Sequence, residues 1–227
     1  MNQNALHPQA AWLNGIVVAL AIREGLTQVI PHLTTAAHDF NWATELQIAR
    51  VFLFLITIIR FYLGSILYFD AVHVREETAK EYVRKSYGLD FLVGLLHFIM
   101  FFAWATTISD VGHRELPSTL SHFETVGAAI LLFDLVWLAV NARYDTPRAI
   151  LPWTIINVVT VLICVAIIFV PYGVDAVFRE QLSIAVVGTI GLIDISGTLK
   201  ETNLIAEWIA FAFPPKKAAG TAAGDSR

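Results

Sequence analysis

The chain is poor in charge, cysteine and glycine for its length. Charged residues make up 15% of its 227 residues, whereas about 25% is usual in a soluble globular domain. A single cysteine excludes a disulfide scaffold, and 13 glycines exclude a collagen-like repeat. A formal net charge of −4 gives no basic surface for nucleic acid, so no nucleic-acid partner is expected. Because hydrophobic residues reach 56%, a soluble fold is not expected either.

Long apolar stretches take the place of the missing charge. Ala149 to Val174 contains no Asp, Glu, Lys or Arg, and His97 is the one titratable residue between Phe91 and Ser109. Runs of about 18 or more apolar residues are typical of membrane-spanning helices. The sequence therefore predicts an all-α, polytopic membrane protein, a bundle of six transmembrane helices. The predicted spans are Trp12–Ile30, Ile48–Phe69, Leu89–Ile108, Thr125–Asn141, Trp153–Val170 and Leu182–Leu199.

The basic residues outside these spans predict the orientation. Ten Lys and Arg residues fall at the end of the bundle that holds the N-terminus, and two fall at the opposite end. Since Lys and Arg are enriched in cytoplasmic segments, both termini should be cytoplasmic, in an inner or plasma membrane. An odd number of spans would remove this bias, so it favours six.

Residues 1–213 are expected to form a single transmembrane domain, with 214–227 as a disordered cytoplasmic tail. Segment 203–213 either lies along the inner interface as a helix or prolongs span six. The loop Val74–Ser86 has opposite charges four residues apart, which favours a solvated helical extension of span two.

Charged side chains inside the spans are the candidate functional residues, because each costs about 2.5–3.5 kcal/mol to insert and needs a partner or water. They recur on polar helix faces; Asp134, for example, lies seven residues from both Gly127 and Asn141. Such faces must meet one another or water, since lipid cannot satisfy them. The pathway or gating candidates are Arg60, Asp134, Asp194, His97, Arg23, Glu24, Asn141 and Asn157.

Two interpretations of these residues remain open. In the first, they line a channel or small transporter for an inorganic cation or a proton, in a homo-oligomer whose subunits meet at Gly188 and Gly191. In the second, Arg60 with Asp134, and Arg23 with Glu24 or Asp194, are buried pairs that fix helix register. The protein would then be a non-transporting scaffold or effector with a cytoplasmic partner.

Enzyme and cofactor chemistry finds little support, and we expect neither. A membrane haem needs paired histidines within the spans, but His97 stands alone there, and the histidines near the outer ends lack metal-ligand spacing. An intramembrane aspartyl protease would need a glycine directly before its aspartate, which neither Asp134 nor Asp194 has. A lipid-modifying enzyme with its site among the helices is the remaining enzymatic alternative.

Overall fold

The computed structural model describes residues 6–36, 42–69, 81–110, 120–142, 151–168 and 176–201. These residues form six α-helices and no strand, which confirms the all-α prediction for the described part of the chain. The helices are α1 (Leu6–Ala36), α2 (Trp42–Phe69), α3 (Glu81–Thr106), α4 (His122–Ala142), α5 (Leu151–Ile168) and α6 (Ala176–Glu201).

Each predicted span overlaps one of these helices, and most helices extend beyond at least one predicted end. The assignment of Val74–Ser86 to span two is wrong in its second half, because Glu81–Ser86 form the start of α3. Its first half, residues 74–80, lies outside the described residues, as do segment 203–213 and tail 214–227.

Four of the helices are long and apolar enough to cross a membrane. They are Ala43–Tyr68, Gly88–Thr106, His122–Val140 and Val177–Lys200, and a further apolar stretch, Trp153–Ile167, is shorter. Large apolar side chains point outward from these helices, since Leu92, Val136 and Ile193 are 61%, 61% and 65% exposed. Such a surface suits lipid and would be costly in water. The chain is therefore a membrane-embedded protein.

The helices form a closed ring in the order α1, α3, α4, α5, α6, α2, and α2 also touches α3 across the ring. Contacts along the helices set their directions. In α1, Gly25 lies beside Phe54 and Gly15 beside Tyr62, so α1 and α2 are antiparallel. Similar contacts show that α2, α4 and α6 run one way and the other helices the opposite way. The end at which α1 begins is called the inner end, after the predicted topology, and the opposite end the outer end.

Aromatic side chains fill the interior between α2, α3 and α4. Phe54 and Phe61 pack edge to face against Phe101, with ring centroids 6.5 Å and 5.1 Å apart. Trp104 stacks on Phe123 at 4.9 Å and donates from Nε1 to the Phe123 carbonyl at 2.8 Å. These contacts hold α3 and α4 against α2. They thereby position the polar residues of α3 and α4 that lie nearer the inner end.

Two glycines let α6 approach α2 closely. A Cβ added at Gly191 would lie 2.6 Å from Ile56 Cγ2, and Gly188 lies in ordinary contact with the same side chain. Both glycines are buried within this chain. The prediction that Gly188 and Gly191 form a subunit contact is therefore wrong; their lack of a side chain serves packing inside the bundle.

Candidate functional site

Five polar side chains from five helices meet near the middle of the bundle and form one connected chain, here called the central network. Its members are Asp194 on α6, Arg60 on α2, Asn157 on α5, Asp134 on α4 and His97 on α3. Arg60 Nε donates to Asp194 Oδ2, and Arg60 Nη2 donates to Asn157 Oδ1 at 2.6 Å. Asn157 Nδ2 in turn donates to Asp134 Oδ2. No member except Asp194 is more than 6% exposed, so the other four side chains are shielded from lipid.

His97 ends the network on the inner side. Its Nδ1 lies 3.1 Å from the Val93 carbonyl, and a carbonyl can only accept, so Nδ1 carries the hydrogen. Its Nε2 therefore bears the lone pair of the neutral ring and lies 3.6 Å from Asp134 Oδ1, with no hydrogen-bond partner in the described structure. Phe133 and Phe61 enclose the ring, with centroids at 4.6 Å and 5.4 Å.

The predicted direct pair of Arg60 with Asp134 is wrong. Asn157 lies between Arg60 and Asp134 and forms a hydrogen bond with each. Asp194 is the residue that contacts Arg60 directly. The sequence singled out all four residues but could not give their order, because helix faces do not reveal which neighbouring helix a side chain meets.

Arg23 and Glu24 lie away from the network, so the predicted pairing of Arg23 with Asp194 is wrong. Arg23 is exposed, and Glu24 accepts a hydrogen bond of 2.7 Å from Gln28 of the same helix. Gln28 accepts from Ser109 at 3.0 Å, near the outer end. No ion pair joins Arg23 to Glu24 in the described part of the chain. Asn141 belongs to α4, but its side chain lies outside what the structure describes.

The predicted polar faces do turn inward. Arg50, Thr57 and Arg60 of α2 are all buried, as are Asp90 and His97 of α3. On α5 and α6, Asn157, Thr160 and Gly191 are buried in the same way. On these helices, polar residues three or seven apart therefore face the interior of the bundle together.

A large cavity, the outer cavity, opens between α2, α4, α5 and α6 and encloses about 800 Å³ including its mouth. Its wall is mainly apolar, with polar groups from Thr57, Thr160, Ser183 and Glu124. Arg60 lines its deep end, and Leu120 and Phe123 mark the outer end. The cavity thus leads from the outer end of α4 to the arginine of the central network.

A second cavity, the inner cavity, lies on the other side of the network and encloses about 420 Å³ including its mouth. His97 and Asp134 line one end, and Ser65, Tyr68 and Asp90 line the part nearer the inner end. Tyr68 OH donates to Asp90 Oδ2 at 3.1 Å. The cavity has room for several water molecules. The two cavities share no lining residue, and the central network lies between them.

A second buried ion pair, here called the outer clamp, was missed by the sequence analysis. Arg50 Nε donates to Glu180 Oε1 at 2.6 Å, and its Nη1 donates to the carbonyls of Ile108 and Asp110 at 3.2 Å. The guanidinium also lies 5.2 Å from the centre of the Phe123 ring. Glu180 lies outside the predicted span six, Leu182–Leu199, but within α6. The available signal was the spacing of Arg50, Thr57 and Arg60, which lie seven and three residues apart and so share one helix face.

A capping box at the start of α4 was also missed. Ser121 Oγ accepts from the Glu124 backbone N–H at 3.2 Å, while Glu124 Oε2 accepts from the Ser121 N–H at 2.9 Å. The S-x-x-E pattern in the sequence is typical of this motif and could have marked the helix start. The cap holds the Glu124 carboxylate at the wall of the outer cavity.

The central network can bind or release a proton. With both aspartates ionised, Arg60 charged and His97 neutral, its formal charge is −1, and one added proton makes it neutral. The described residues contain no group of three His, Cys, Asp or Glu side chains that could hold a metal ion. His122, one of the outer histidines, is 68% exposed and contacts Asp110 at 2.6 Å.

No family model, curated protein or solved structure matches this chain.

Proposed function

We propose that this protein is an ion or proton pathway, a small channel or transporter whose control point is the central network. The observation that carries the proposal is the position of the network between two cavities that approach it from opposite ends of the bundle. A purely structural ion pair needs no access from either side. Here Arg60 borders the outer cavity, and His97 and Asp134 border the inner one.

The cost of burying the network also supports a functional role. Charged side chains within membrane helices are expensive and are usually kept for ion pathways or proton relays. One direct ion pair would suffice to fix the register of α2 and α6. Asp134 and His97 extend the network across two further helices, and while His97 is neutral no second positive charge balances the Asp134 carboxylate.

The separation of the cavities favours a transporter that opens alternately over a continuously open pore. Arg60 and Asn157 lie between the two cavities, Arg60 keeps its charge, and the Asn157 carbonyl oxygen accepts a hydrogen bond from it instead of facing an ion. A transported ion would therefore cross when these contacts rearrange, as in carriers that expose one site to each side in turn.

Six spans, cytoplasmic termini and a homo-oligomer belong to this proposal as further expectations. The alternating helix directions agree with an even number of spans. The basic residues predict which end is cytoplasmic. Sizing of the purified protein in detergent would give the subunit number.

The test is ion flux into proteoliposomes that contain the purified protein. Asp134→Asn and Arg60→Ala should each reduce flux to the level of empty vesicles. The lipid-facing change Val136→Ala, two residues from Asp134, is the matched control and should retain flux. Monodisperse elution of each variant shows that it has folded. Equal flux in wild type, variants and empty vesicles would refute the proposal.

The direct contact of Arg60 with Asp194 favours one alternative, a scaffold in which the network only fixes helix register. The double variant Arg60→Asp with Asp194→Arg tests it by exchanging the two charges. A register role predicts that the exchange restores the folded yield lost in either single variant and that wild-type vesicles show no flux. The transport proposal predicts flux in wild type and loss of flux in the exchanged protein, even where folding recovers.

A further inference from the structure

Resting on the proposed function, the geometry points to the proton as the transported ion, exchanged at His97 and Asp134 through the inner cavity acting as a water-filled half-channel. The hydrogen of the neutral His97 ring lies on Nδ1. Because Nδ1 is bonded to the Val93 carbonyl, the basic atom Nε2 is directed to Asp134 Oδ1 at 3.6 Å. Two acceptors that face each other need one proton between them to form a hydrogen bond.

The inner cavity supplies a route for that proton. It runs from Asp90 and Tyr68 to His97 and Asp134 and has room for several water molecules. Two buried ring nitrogens in its wall, His97 Nε2 and Trp153 Nε1, have no hydrogen-bond partner in the described structure. Buried polar atoms are nearly always satisfied by protein or by ordered water, so both nitrogens favour a hydrated cavity. Gly94 adds room, since a Cβ there would meet nothing within 4 Å.

The proton step balances without any other reactant. A hydronium ion in the inner cavity gives its proton to the His97 Nε2 lone pair, which forms an N–H bond and leaves a water molecule. The new N–H then hydrogen-bonds to Asp134 Oδ1, or the proton moves on to that oxygen. In either form the formal charge of the network rises from −1 to zero.

The charged groups around this pair favour a proton over a metal cation. From α2, Arg60 reaches Asp134 through Asn157 of α5, and Asp194 of α6 is held by Arg60. Asp90 of α3 lies at the far end of the cavity, bonded to Tyr68. Among the described residues, Asp134 is thus the one carboxylate beside His97 in the cavity wall, whereas cations such as Ca²⁺ take six to eight oxygen ligands.

Proton flux and water access test the inference separately. For flux, proteoliposomes carry a trapped pH-sensitive dye, and a potassium diffusion potential set with valinomycin drives protons inward. Wild type should acidify the vesicles, and Gly94→Val, which narrows the inner cavity, should lower the rate to that of empty vesicles. Gly88→Val is the matched control on the same helix, since Gly88 is exposed and also has no neighbour within 4 Å. Equal rates in the two variants would overturn the half-channel.

For water access, single cysteines are placed in a Cys164→Ala background and treated with a charged methanethiosulfonate reagent. Val93→Cys, in the cavity wall, should react, and its neighbour Leu92→Cys, on the outward face, should not. Equal labelling would overturn the half-channel whatever the flux result. Sodium or potassium flux without proton flux would overturn the proton assignment and leave the proposed function standing. Absence of every ion flux would instead refute the proposed function.

Discussion

The outer clamp should contribute far more to stability than a surface ion pair, and Arg50→Leu tests this. Arg50 and Glu180 are both 1% exposed, so the substitution leaves a carboxylate buried with no basic partner. Removing one partner of a buried pair costs about 3–5 kcal/mol. The C-terminal carbonyls of α3 also lose a donor. For a chain of this size, we expect the midpoint of thermal unfolding to fall by roughly 6–20 °C.

The assay is thermal unfolding in detergent micelles, followed by circular dichroism. The double variant Arg50→Leu with Glu180→Leu removes the unpaired charge, so it should regain most of the lost stability. It should stay somewhat below wild type, because the α3 carbonyls still lack their donor. The reasoning is refuted if Arg50→Leu unfolds within about 1 kcal/mol of wild type, or if the double variant is less stable than the single one.

Three further predictions concern the network, the close contact of α2 with α6, and α1. Asn157→Leu leaves both charged neighbours without its hydrogen bonds, so flux in proteoliposomes should fall to background; retained flux would contradict the role of the amide. Gly191→Ala should lower stability by about 1–3 kcal/mol through overpacking, and Ile56→Leu, which removes the clashing methyl, should restore it; unfolding titrations check both. Arg23→Gln should leave flux unchanged and alter the free energy of unfolding by no more than about 0.5 kcal/mol, because the side chain is exposed. A loss of flux would show that Arg23 takes part in the pathway.

Helix positions and inward faces could be predicted from the sequence because both depend on local spacing. The burial of Thr57 and Arg60 on one face of α2 follows from residues three apart lying on the same side of a helix. Apolar length alone was sufficient to locate α5, whose predicted start at Trp153 lies two residues inside the observed helix.

The partners of each charge could not be predicted, because they depend on which helices are neighbours in the ring. Arg60 meets Asp194 since α2 packs against α6, a contact between residues 134 positions apart in the chain. The outer clamp could not be predicted for another reason. In the sequence, a charged residue near a helix end looks the same whether it lies in a loop or in a buried ion pair. Glu180 lies within the first turns of α6, where Arg50 neutralises it.

We propose that Asp134 serves transport while Glu180 serves structure, although both are buried carboxylates at 1% exposure. The most direct measurement is proton flux per folded protein in Asp134→Asn and Glu180→Gln proteoliposomes, reconstituted side by side. The account predicts that Asp134→Asn folds but loses flux, whereas Glu180→Gln loses stability and retains flux in the fraction that folds. If Asp134→Asn transports protons at the wild-type rate, the account is contradicted.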